Sequence, residues 1–112
     1  MRYRVEQVER SRVLPIGRDP LSVDAGDIIV HNHCYRADEM AVMIDIAKEF
    51  DYRIGTFHHA VESYKVADLL AKEDICSAMW ADWWGFKMEA YDGVRENVAL
   101  VDAAGACAVV HS

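Results

Sequence analysis

Four short apolar runs rich in β-branched residues, separated by stretches of helical periodicity, constrain this chain more than any other feature. The runs are DIIVH near 27–31, YRIGTF near 52–57, ICSAMW near 75–80 and ACAVV near 106–110. The first and last are almost continuously apolar instead of alternating, which is the pattern of strands covered on both faces. Between the first two runs, RADEMAVMIDIAKEF places Met40, Met43, Ile44, Ala47 and Phe50 on one helical face. Asp38 and Glu39 fall in its first turn, where the helix dipole favours negative charge. AVESYKVADLLAKED repeats the stripe with Val61, Tyr64, Ala67, Leu70 and Ala71, and VRENVALVDAAGA with Val98, Leu100, Val101 and Ala104. The order strand, helix, strand, helix, strand, loop, helix, strand is that of right-handed βα units on a parallel sheet. The predicted class is α/β, with strands near 28–32, 53–57, 75–80 and 106–110. Four such strands make half of a closed eight-stranded barrel, or a small open sheet.

Upstream the pattern fails. Pro15, Gly17, Pro20 and Gly26 break up any long element, so residues 1–23 read as an irregular lead-in and residues 24–112 as the folded unit. The chain stops at ACAVVHS, directly after an apolar run. A strand tip bearing a polar pair is an unusual domain end, and the expectation is a cut chain.

A length of 112 residues with 53% hydrophobic and 28% charged residues fits one domain with a real core. The net charge of -7 disfavours a nucleic-acid or anionic-membrane partner, since such surfaces need clustered Lys and Arg. No apolar run approaches the ~20 residues of a membrane span. The opening MRYRVEQVER lacks the apolar core of a secretion signal. Cys34, Cys76 and Cys107 are odd in number and widely spaced, without a CxxC pair. Three free thiols in a reducing, cytoplasmic setting are the expectation.

The histidines carry the chemistry. His31 and His33 close the first run, His58 and His59 the second, and His111 the fourth. In a parallel sheet those ends share one edge, the edge at which open sheets and barrels bind ligands. Residues two apart on a strand point the same way, so His31 and His33 face together. Adjacent residues point oppositely, so only one of His58 and His59 is expected to join them. A lone histidine beside a strand is more often a hydrogen-bonded structural residue than a ligand. Five at carboxyl strand ends point instead to a metal or active site, and imidazole suits zinc, iron, copper or nickel.

HNHCYRADEM, FHHAVESYKVADLLAK, WADWWGFKMEAYDGVRENVAL and AGACAVVHS together resemble the amidohydrolase superfamily, in particular its imidazolonepropionase-like members. The resemblance runs from about residue 24 to the end, with four blocks in order. It implies the carboxyl half of a (β/α)8 TIM barrel, strands five to eight, carrying divalent metal, usually zinc. His33, opening HCYRADE, and His59, opening HAVESYK, would be the fifth- and sixth-strand metal ligands. His31 and His58 would be their neighbours, orienting ligands or touching substrate. His111 and Ser112 match the start of an eighth-strand His-Ser-Asp motif, whose Asp would come next. The family's earlier ligands and that Asp are absent, so no catalytic residue is assigned. The implied chemistry is a metal-activated water attacking the carbonyl of a small amide, lactam or peptide-like substrate.

Tyr35 and Arg36, directly after His33, are candidate substrate contacts, Arg36 through its planar fork. The plainer role for Arg36 is an ion pair with Asp38 or Glu39. Cys34 should point away from His33 as a buried structural thiol. Trp80, Trp83 and Trp84 either line a substrate pocket after the third run, or cap the barrel end or fill a subdomain interface. Ser112 lacks a nucleophile elbow, and no phosphate-binding glycine loop exists. From another class, the same units would serve as a non-catalytic assembly domain that pairs through its open sheet edges.

Overall fold

Where apolar runs alternate with helical stripes, a computed structural model describing residues 28–111 folds them into a parallel sheet. Strand β1 is Ile29–Cys34, helix α1 Ala37–Glu49 and strand β2 Arg53–His59. A 3-10 turn at Ser63–Val66 leads into α2, Ala67–Lys72, and then β3, Cys76–Met79. A long loop holding a 3-10 turn at Met88–Ala90 reaches α3, Asn97–Ala103, and the chain returns as β4, Ala108–Val110. The strands lie in the order β1-β2-β3-β4, and every pairing is parallel. The predicted α/β succession of strands and helices is therefore present. The lead-in expected over residues 1–23 lies outside the described residues, as does Ser112.

The expected stripes bury themselves at the predicted positions. Met40, Ile44 and Ala47 of α1, Leu70 of α2 and Val101 of α3 pack with Ile54, Phe57, Ile75 and Met79 from the sheet. Phe57, Met40, Leu70 and Met79 are the largest side chains sealed from solvent. Three stripe residues do not follow: Phe50 caps the end of α1, Leu100 sits on the outer side of α3 and Ala104 caps its end, all exposed.

One expectation is reversed. The first and last runs were predicted to be covered on both faces, yet the fully buried strands are the central pair, β2 from Ile54 to Phe57 and all of β3. In a four-stranded sheet β1 and β4 are edges with one neighbour each, and β4 leaves Val109 at 45% and Val110 at 58% exposure. The cysteine expectation is also corrected. Cys76, opening β3, and Cys107, just before β4, are joined by a disulfide with a Cα–Cα distance of 4.4 Å. That bond withdraws the support which three reduced thiols lent to a cytoplasmic setting. Cys34 alone is free, and it is buried as expected.

Candidate metal centre and its comparisons

Two departures from ideal strand geometry position the histidines. The β1–β2 register steps from Val30↔Ile54 to His31↔Thr56, leaving Gly55 as the extra residue of a bulge. A bulge turns the side chains that follow it, and glycine accommodates one readily. At the far end of β2, His59 has φ 73° and Ala60 φ 37°, left-handed values that cost a non-glycine residue about 1–2 kcal/mol each. Three partners hold this kink. The Ala60 N–H donates to the Cys34 carbonyl at 2.9 Å. The Asn97 amide donates to the Ala60 and Val61 carbonyls at 3.0 and 3.1 Å. Its oxygen accepts from the Tyr64 N–H at 2.8 Å.

The kink overturns the expectation that His58 and His59 diverge. His31 Nδ1 lies 2.9 Å from His58 Nε2, and His33 Nδ1 lies 2.8 Å from His59 Nε2. The His59 backbone N–H donates to His111 Nε2 at 3.3 Å. The His33 ring also stacks on His58, centroids 5.2 Å apart. All five histidines thus form one continuous cluster at the carboxyl edge of the sheet, where strand alternation alone would have admitted four.

Burial, followed by the positive charge of neighbouring imidazoles, holds both His58 and His59 below the ordinary histidine range. These two rings are therefore neutral at pH 7, the form that ligates metal. His59 Nδ1 is buried and lacks a hydrogen-bond partner. Two nitrogens on one tetrahedral zinc stand ~3.3 Å apart, so the His33–His59 pair needs only a small rotation to accept an ion. Two imidazole nitrogens at this spacing fit a divalent metal. Among the described residues, however, no group of three or more His, Cys, Asp or Glu completes such a shell.

Tyr35 joins the cluster by stacking on His59, centroids 5.2 Å apart at 13°, with the Lys87 ammonium 3.9 Å above its ring centre. Arg36 takes its plainer role. Its Nε and Nη2 each donate to the Asp38 carboxylate at 3.1 Å, in the open at the start of α1. Cys34 points away from the histidines, its thiol donating toward Glu39. Burial and that carboxylate push the thiol up to about 12, so it stays protonated and is no metal ligand. Trp80 packs on His59 at 4.7 Å and on Trp83 at 4.8 Å, and Trp84 pairs with Tyr91. All three tryptophans line one pocket.

Sequence reasoning missed Asn97. Its signal was spacing, since it lies four residues before Val101 on the buried side of α3, and a polar side chain there needs partners.

No family model matches the chain. The amidohydrolase tasK of Hapsidospora irregularis is 33% identical over 72 residues, which is 61% of this chain and 7% of that protein. The crystal structure of an amidohydrolase from Thermotoga maritima MSB8 superposes with a TM-score of 0.75 at 23% identity, covering 94% of this chain and 29% of that one. The chain thus spans a small part of the length of each relative. The parallel βα order and the structural likeness converge on the fold: the chain is similar to amidohydrolases and carries four βα units of the TIM-barrel kind.

Proposed function

We propose that this chain is part of a metal-dependent, imidazolonepropionase-like amidohydrolase that cleaves the C–N bond of a small amide, lactam or peptide-like substrate. In this reading β1 to β4 are barrel strands five to eight, and His33 and His59 hold the divalent ion, zinc. The observation that carries it is the 2.8 Å approach of their ring nitrogens at the ligand-binding edge of a parallel sheet. Bound zinc would supply an activated water and polarise the carbonyl under attack. Tyr35, stacked on His59, fixes that ring and is the substrate contact beside it. His58, bonded to His31 and stacked on His33, sets the plane of the second ligand. Arg36 reaches a substrate oxygen only by releasing Asp38. A cytoplasmic location belongs to this reading only if Cys76 and Cys107 are reduced in the cell.

Calorimetry with zinc tests it. The chain should bind weakly, because two imidazoles fill half of a tetrahedral shell, and His33→Ala and His59→Ala should each bind more weakly still. Affinity should fall below about pH 6, where imidazole protonates. Equal affinity in all three proteins means that these histidines are not ligands.

A second reading, an assembly domain, draws on the exposed Val109 and Val110 of edge strand β4. Unpaired edges drive association, so sedimentation at micromolar concentration should find dimers or larger species. A compact, well-folded monomer excludes it.

A further inference from the structure

We propose that the tryptophan-lined pocket beside the histidine cluster is the side-group subsite of the substrate and takes a neutral, single-ring aromatic group. This deepens the amidohydrolase reading and rests on the histidine cluster being its reaction centre. Trp80 belongs to both, lining the pocket and touching the histidines. Its ring centroid lies 4.7 Å from that of His59 and 5.9 Å from that of His111, and 4.8 Å from that of Trp83. A substrate with its carbonyl at the histidines would therefore have its neighbouring group within reach of the pocket.

The pocket's size and walls select the group. It encloses about 280 Å³, at the lower end of the ~300–1,000 Å³ of ligand pockets, so it suits a ring and not a whole molecule. Its apolar walls are Val61, Val94 and the three indoles. Trp83 and Trp84 are 53% and 62% exposed, an apolar surface with room for one more ring at offset or edge-to-face geometry. The recess is a formed one. A methyl group on Gly93 would stand 3.0 Å from Val61 Cγ1 and 3.2 Å from the Ala90 carbonyl, so its floor is closely packed.

Charge narrows the class further. Arg95 and Asp82, both lining the pocket, pair with each other at 3.3 Å. Together they add no net charge to the recess, so the indoles set its preference, which is for a neutral ring.

The test is tryptophan fluorescence of the 112-residue chain titrated in metal-free buffer with N-acetyl-phenylalaninamide, N-acetyl-alaninamide and N-acetyl-argininamide. The aromatic probe should bind about ten-fold more tightly than the other two. Trp83→Leu and Val94→Phe should each abolish that preference with far-UV circular dichroism unchanged. Val94→Phe fills the recess while keeping every indole, so it separates loss of the site from loss of a reporter. Equal affinity for the three probes, a preference for the arginine probe, or a preference that survives both variants overturns the assignment. Zinc calorimetry on the same samples keeps the two readings apart. Zinc binding without aromatic preference sinks the pocket alone, whereas aromatic preference without zinc binding sinks the metal reading and leaves a ring-binding recess.

Discussion

Replacing Asn97 tests whether the histidine site is held from a distance. The side chain is 3% exposed, and its amide satisfies two carbonyls and one N–H of the segment following β2. Alanine at this position removes three hydrogen bonds and strands two backbone groups, the Val61 carbonyl and the Tyr64 N–H, while the Ala60 carbonyl keeps the Ser63 N–H at 3.1 Å. Each bond contributes ~0.5–1.5 kcal/mol net, and each stranded group costs ~1–3 kcal/mol, with overlap between the two. Relaxation of the left-handed His59 and Ala60 returns part of that, about 1–2 kcal/mol per residue. A net loss of about 3 kcal/mol follows for Asn97→Ala, a large share of the stability of a small domain. With a urea slope of ~1.5 kcal/mol/M, the unfolding midpoint should drop by about 2 M. Asn97→Asp should be worse than alanine. It keeps the acceptor for the Tyr64 N–H but sets a carboxylate against the Ala60 and Val61 carbonyls. Both variants should also weaken zinc binding without touching a ligand, because the kink that brings His59 to His33 is released. A midpoint within 0.3 M of the parent for Asn97→Ala, or an aspartate variant milder than alanine, refutes this account of the kink.

Two further outcomes follow from the same coordinates. His58 and His59 are held below their unfolded value of 6.5, first by burial, so the unfolded chain binds more protons in the window below it. Stability should therefore be full above pH 6.5 and decline as pH falls through the folded-state values, and His58→Gln should flatten that decline; urea midpoints that rise toward acid contradict it. For the thiols, alkylation of the oxidised native chain should label no cysteine. Reduction should expose Cys107, and only unfolding should release buried Cys34, as read by mass spectrometry. Rapid labelling of Cys107 before reduction means that the Cys76–Cys107 bond does not form.

Parallel order, helix positions and the gathering of histidines at one edge were legible because they depend on periodicity, which survives in any single sequence. Met40, Ile44 and Ala47 sit at helical spacing, and they are the buried face of α1. What was misread depended on neighbours. Near-continuous apolar character in the first and last runs describes strands flanked on both sides, and nothing in those residues says how many strands the described sheet has. The disulfide was equally hidden, since residues 31 positions apart become partners only when β3 and β4 lie side by side.

The site itself was misread for a more specific reason. Counting side chains along an ideal strand admits one of two adjacent histidines, and the cluster exists because the backbone leaves that ideal twice. Gly55 marks the first departure by its residue type. The second, at His59 and Ala60, has no glycine to announce it and is instead held by Asn97, 37 residues beyond Ala60, across the long loop and on another helix. A strained backbone persists only where its surroundings over-determine it. The approach of His59 to His33 is thus a property of α3 packed against the end of β2, and not of the HH dipeptide. Zinc affinity should accordingly respond to substitutions on α3 that reach no histidine, and a histidine pair grafted onto a plain parallel sheet without that anchor should diverge as strand alternation dictates.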